Sequence, residues 1–351
     1  MADAGDLFDI ELPIVQAPMA GSQGSALAIA VCNAGGLGSL PCAMLAPDAM
    51  RKELTAITSA TSKPYNVNFF CHQQPTPDPA RERAWLDLLS PYFAELGIDP
   101  NAIATGSGRA AFNADAADVL EPFKPPFVSF HFGLPSDDLV ARVKSWGSKI
   151  ISSATTADEA RYLEAHGADV VIAQGSEAGG HRAMFLTADL DTQIGTLTLV
   201  QQIVDAVGIP VIAAGGIADA SGVAEVLAAG AIAAQAGTAY LFCPEATTNP
   251  LHRLALKSDA ARTTAVTNLF TGRPARGIVN RLMREIGPIN SSAPAFPLAT
   301  SAIMALRAKA EPKGISDFTS MWAGQSARLC RETSAAALTE SLAAGRIAAA
   351  R

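Results

Sequence analysis

The chain reads as an α/β protein, a (β/α)8 TIM barrel with a smaller, mainly helical C-terminal region over the barrel mouth. Three observations predict this. Eight apolar runs of buried-strand length recur along residues 14–235, and helical segments rich in alanine, leucine and glutamate separate most of them. Glycine-rich turns carrying polar residues follow the last three strands, on the rim where barrels hold their ligands.

The runs fall at 14–18, 36–40, 66–70, 127–132, 149–153, 169–174, 210–214 and 231–235. They are apolar on both faces, so both sides of each strand are covered, as in a parallel sheet. Helical segments at 25–33, 156–165 and 220–229 stop at Gly35, Gly167 and Gly230. Residues 71–126 are too many for one crossover. Their Pro75, Pro77 and Pro79, and a helix around 81–96, mark an insertion over one barrel face. From Glu245 prolines punctuate helical sequence with no clear further strand. The expected division is a barrel at 1–244, a helical substrate-side region at 245–316, and a C-terminal helix at 317–351 packing back on the barrel.

Composition narrows the function classes. With 351 residues and 49% hydrophobic content the chain can bury a large core. Its net charge of −7 provides no basic field for nucleic acid or an anionic membrane surface. Residues 226–244 are uncharged, but Gly230, Gln235 and Gly237 interrupt them, giving helix end, turn and buried strand rather than a membrane span. The acidic start, Met1 to Asp6, lacks the regions of a secretory signal. The five cysteines are scattered without metal-type spacing, which points to a reduced, cytoplasmic setting and no metal.

A phosphate site is expected after the seventh and eighth barrel strands. Ala214-Gly215-Gly216-Ile217 precedes Asp219 and a helix, and Gln235-Ala236-Gly237-Thr238 opens a short one. Glycine lets backbone N–H groups approach an anion closely. After the sixth strand comes Gln174-Gly175-Ser176-Glu177-Ala178-Gly179-Gly180-His181-Arg182. Gln174 can donate to and accept from a planar heterocycle, Gly179 and Gly180 admit close backbone approach, and His181 titrates in the useful range. Glu177 has a second reading as a helix cap, and Arg182 as a solvated or salt-bridged loop residue. His131 ends the fourth strand and can face the mouth, whereas His166 is expected on the surface.

These motifs, with Gln16-Ala17-Pro18-Met19-Ala20-Gly21, Ala34-Gly35-Gly36-Leu37-Gly38 and His131-Phe132-Gly133, resemble those of the nitronate monooxygenases, formerly 2-nitropropane dioxygenases. Phe270 to Gly277 and Met321 to Gln325 extend the likeness. The resemblance implies an FMN enzyme that oxidises alkyl nitronates, or nitroalkanes, with dioxygen to a carbonyl compound and nitrite, as a monomer or homodimer. It implies that Ala17, Pro18 and Met19 lie against the flavin ring. Asn68 and Gln174 would bind its polar parts, and Gly179 and Gly180 would contact it by backbone. Gly215, Gly216, Gln235, Ala236, Gly237 and Thr238 would hold the phosphate, with His181 catalytic and His131 beside the substrate. Two departures stand out: Gly24-Ser25-Ala26 where Thr-Pro is common, and Ala183 where glycine often continues the histidine motif. Two rival readings stay open: an FMN-dependent NAD(P)H reductase, of the enoyl-[acyl-carrier-protein] or quinone type, and a non-catalytic flavin-binding barrel. An inosine-monophosphate-dehydrogenase-like barrel would need a rim cysteine, for which Cys42 and Cys71 come nearest.

Overall fold

A computed structural model describes residues 4–103 and 109–346. Eight strands form one parallel sheet: β1 (Ile14–Gln16), β2 (Gly38–Pro41), β3 (Tyr65–Phe70), β4 (Phe127–His131), β5 (Lys149–Ala154), β6 (Val170–Gln174), β8 (Val211–Ala214) and β9 (Ala233–Ala236). They run in the order β1-β9-β8-β6-β5-β4-β3-β2. A parallel bridge from Val15 to Leu37 closes the ring, with the Gln16 N–H donating to Leu37 O at 2.9 Å and the Leu37 N–H to Ile14 O at 2.8 Å. All eight predicted strands are present, shifted at their ends by up to two residues. The two-residue strand β7 (Gly180–His181) lies outside the barrel, so its seventh and eighth strands are β8 and β9.

The N-terminal end of the barrel is apolar. Val15, Phe127, Ile151, Val170, Ile212 and Ala233 cluster there with Phe8 and Ile10 of the leading segment, and the Phe8 and Phe127 rings lie 5.1 Å apart. Beneath the site, on β1 to β4, the interior is polar instead. Gln16 Nε2 donates to Gln23 Oε1, Gln23 Nε2 to Ser39 O, Asn66 Nδ2 to the Ser39 and Ser129 hydroxyls, and Asn68 Nδ2 to Ser129 Oγ, at 2.7–3.0 Å. Asn66 and Asn68 share one strand face because side chains alternate, and both are buried. The linked bonds orient Asn68 from below.

The insertion forms a long helix, Pro79–Leu96. Its Trp85, Leu89, Tyr92 and Phe93 pack with Leu269, Phe270, Leu306 and Phe318 of the C-terminal region, in a hydrophobic cluster separate from the barrel core. That region differs from expectation in two respects. It contains β10 (Thr264–Thr267) and β11 (Ala275–Ile278), which form an antiparallel sheet in the order β10-β11-β7. Four-residue strands with small residues and a preceding Pro274 give too brief an alternation to read. The final helix starts at Ala335 and runs to Ala343; the earlier part, from Asp317, is mainly loop, and residues 347–351 lie outside those described. Thr339 of this helix bonds the Tyr240 hydroxyl at 2.8 Å.

The uncharged stretch at 226–244 is helix end, turn, β9 and a 3-10 turn, as read from sequence. Among the described residues no helix is long and apolar enough to cross a membrane. At the first departure, Gly24 caps its helix without a side chain, and the Glu53 carboxylate accepts from the Ser25 N–H at 2.6 Å in its place.

Gly38 marks a close helix–strand approach: a Cβ there would stand 2.1 Å from Ala28 O. Gly38→Ala should therefore cost about 1–3 kcal/mol through forced backbone separation. Urea unfolding followed by circular dichroism measures it, and an unchanged midpoint would contradict the close-approach account.

Candidate active site

The C-terminal ends of the strands open into one cavity with about 1440 Å³ of space free of protein atoms, part of it open to solvent. Ala17, Pro18, Met19, Asn68, His131, Gln174, Gly179, Gly180, His181, Gly215, Gly216, Gln235, Gly237 and Thr238 all line it. Ala236 does not: its side chain packs in the barrel core, and its carbonyl accepts the Ala17 N–H at 2.8 Å.

Gln174 and Arg182 make most of the side-chain hydrogen bonds that hold the histidine loop. Gln174, at the end of β6, donates through Nε2 to His181 O at 3.0 Å and accepts the Ala183 N–H on Oε1 at 2.8 Å. That leaves one amide hydrogen of Gln174 for a ligand. Arg182 is not solvated, and among the described residues it has no salt bridge. It is 1% exposed and donates to Gln174 O, Gly175 O and Gln193 Oε1 at 2.8–2.9 Å. Burial lowers its pKa to about 10, so it stays charged at neutral pH. Glu177 is the cap that one reading gave it: its carboxylate accepts from Thr196 N and Oγ1, at 2.7–3.0 Å, at the start of the helix Thr196–Ala206. Ala183, the second departure, is buried and fits without needing glycine.

His181 thus sits on the short antiparallel sheet, opposite Ala275 of β11. Its Nε2 lies 2.9 Å from Thr271 Oγ1. Rings of Phe70, Phe132, Phe296 and Trp322 surround the imidazole with centroids at 5.4–6.2 Å. Burial first, then the nearby Arg109, His131 and Arg273, pushes its pKa well below the ordinary histidine value. Burial also lowers His131 to about 3 and His72 to about 4. His131 Nε2 meets His181 O at 3.1 Å, so it braces the loop as well as lining the cavity. Arg273 stacks over the Phe132 ring, 3.8 Å from its centroid, and its guanidinium also donates to Met184 O. His166 is exposed as expected.

Arg109, Thr271, Arg273, Phe296 and Trp322 were not foreseen as site residues. The quoted C-terminal motifs contained Thr271, Arg273 and Trp322, but only packing shows that they face the β6 loop. Phe296 and Arg109 stood in segments without any local signal. The cysteine reading has no support: Cys42 and Cys71 do not line the cavity, and burial raises both thiols well above their usual range. Among the described residues no group of three or more His, Cys, Asp or Glu side chains could hold a metal.

Comparison with known proteins decides the family. Residues 3–345 match the nitronate monooxygenase family. The chain belongs to the nitronate monooxygenase family. It is 44% identical over 339 residues to the nitronate monooxygenase of Pseudomonas aeruginosa, covering 96% of each chain. The Paraburkholderia phytofirmans enzyme is also 44% identical, over 96% of this chain and 92% of that one. Among solved structures, nitroalkane oxidase from Streptomyces ansochromogenes superposes with a TM-score of 0.89 at 40% identity, covering 99% of both chains. FabK from Thermotoga maritima gives 0.73 at 29%, over 99% of this chain and 97% of that one. As a member of this family the protein is an oxidoreductase, and the family is one of flavoenzymes.

The depressed histidines have a consequence for stability. Folded His72, His131 and His252 titrate at about 3 to 4, whereas in the unfolded chain they take up protons near 6.5. Acidification therefore favours the unfolded chain, and stability falls as pH drops from about 6.5 toward 4. Thermal midpoints should decline between pH 6.5 and 5, above the carboxylate range, and His252→Gln should flatten that slope; a midpoint flat over this interval would contradict it.

Proposed function

We propose that the protein binds FMN in this cavity and oxidises a small alkyl nitronate with dioxygen, giving a carbonyl compound and nitrite. The carrying observation is the fit of both strand-end turns to a phosphate. Among the described residues the N–H groups of Gly215, Gly216, Gly237 and Thr238 have no protein acceptor; Gln235 Oε1, buried without a partner, calls for a donor such as a ribityl hydroxyl rather than the phosphate. Gly215 and Gly216 adopt φ of +129° and +72°, which disfavour any side chain. A Cβ on Gly237 would stand 3.3 Å from the Ala17 Cβ. The four N–H groups would hold the phosphate, while Ala17, Pro18, Met19, Asn68, Gln174, Gly179 and Gln235 would hold the ring and ribityl chain. When bound, FMN supplies the redox chemistry, taking electrons from the nitronate and passing them to dioxygen.

The side chains of this protein bind and orient the anion. His181 is neutral at pH 7, and among the described residues its Nδ1 has no protein partner. The Nε2–Thr271 contact is compatible with either tautomer; in the one where the Thr271 hydroxyl donates to Nε2, the ring proton lies on Nδ1 and serves as a donor to a nitronate oxygen. The positive potential of Arg109 and Arg273, which helps to depress His181, attracts the same anion and is stronger in an apolar setting. We infer an anion anchor from this, since a histidine held this far below its usual range is a weak base. The aromatic wall of Phe70, Phe132 and Phe296 shields the anion from water.

The likeness to FabK keeps a reductase reading testable. The purified protein should be yellow with about one FMN per chain, and should consume oxygen with a small alkyl nitronate and no NAD(P)H. His181→Asn should lower that turnover about 100-fold or more. Anaerobic bleaching by NADH rather than by nitronate would replace the proposal with the reductase reading; undiminished turnover in His181→Asn would remove the anchor.

A further inference from the structure

The turns after β8 and β9 form two sides of the expected phosphate site, and a third side comes from a distant part of the sequence. The segment from Met321 to Leu329 leaves the small sheet, where the Ile278 N–H donates to Met321 O at 2.8 Å, and crosses to the phosphate turns. There the Gly324 N–H donates to Thr238 Oγ1 at 2.9 Å, and the Gln325 N–H to Glu177 O at 3.0 Å. The approach is close: a Cβ on Gly179 would stand 2.5 Å from Gly324 N. The segment is therefore built against the β6 loop and the β9 turn together.

Ser326 is the residue this crossing delivers. It is half-buried and lines the cavity beside Gly215, Gly216, Gly237 and Thr238. Its Oγ lies 3.7 Å from the position of a Cβ on Gly216. Its carbonyl accepts from Leu329 N and Cys330 Sγ, yet among the described residues its hydroxyl has no hydrogen-bond partner. A free hydroxyl facing the N–H groups of two glycine turns meets the same anion that they meet. Thr238, the other hydroxyl residue here, already accepts from Gly324, so its proton is directed elsewhere than that bond and both hydroxyls can donate inward.

We propose that Ser326 is a cofactor-binding residue that completes the phosphate site from the C-terminal segment, donating its hydroxyl proton to a phosphate oxygen of FMN. This rests on the FMN reading above. It gives the crossing segment a function: the stretch that packs beside the histidine loop also contacts the far end of the cofactor.

Riboflavin, which lacks the phosphate, separates this role from general packing. Apoprotein is prepared for the native chain, Ser326→Ala and Ser326→Thr, and binding of FMN and of riboflavin is followed by quenching of flavin fluorescence. Ser326→Ala should weaken FMN binding about 10- to 100-fold, the range for a hydrogen bond to a charged acceptor, and leave riboflavin binding unchanged. Ser326→Thr should retain most of the FMN affinity. Equal weakening of both flavins, or of neither, in Ser326→Ala overturns the proposal while leaving the FMN reading intact. Failure of the native apoprotein to prefer FMN over riboflavin overturns the FMN-phosphate reading itself.

Discussion

A loop of nine residues that leaves β6 and returns beneath the C-terminal sheet has few apolar contacts of its own, so hydrogen bonds from Gln174 and Arg182 fix its path. The buried guanidinium of Arg182 donates to two carbonyls at the strand end and to Gln193, while the Gln174 amide holds both sides of the loop. A buried cation with its donors satisfied is costly to disturb. Once the loop is pinned, His181 pairs with Ala275, and the small sheet has a third strand. The position of the imidazole, the docking of the C-terminal region and the closure of the cavity all follow from those bonds.

The same arrangement sets the electrostatics. Aromatic rings from β3, β4 and the C-terminal region exclude water around His181, and two arginines add positive potential. The site is thus polarised for an anion without a carboxylate against the imidazole. Neutral histidines and charged arginines coexist here because a guanidinium keeps its proton under desolvation that strips one from imidazole. Beneath them the amide and hydroxyl ladder on β1 to β4 gives Asn68 a fixed orientation.

At the opposite wall, glycine is required by neighbours as much as by ligands. Gly175 and Gly179 lie against Thr196 and Gly324 respectively, with no room for a Cβ. These contacts join the β6 loop to the next helix on one side and to the C-terminal crossing on the other. The cavity is therefore shared between barrel and appendage, which explains why residues near both ends of the sequence line it.

By itself the sequence determined a parallel α/β sheet, because eight two-faced apolar runs separated by helical segments can be covered only in a closed or doubly wound sheet; the strand count and the motifs at the strand ends favoured the closed barrel. Strand-end glycines and the order of motifs put the glycine turns after the last two barrel strands and His181 on one rim, since in a parallel barrel every strand ends on the same side. Glu177 was legible as a cap, but Arg182 was not legible as a clamp, because burial of a charge is invisible without its partners. Ala236, expected beside the ligand, does not line the cavity: alternation along β9 turns its side chain into the core, while Gln235 beside it faces the cavity. Only the tertiary structure decided which long-range neighbours complete the site. Strands β10 and β11 are too short for periodicity to reveal; Arg109 and Ser326 reach the cavity, and Thr271 and Phe296 reach His181, through packing between segments far apart in the chain. Local sequence patterns record secondary structure and turns; they carry no record of that packing.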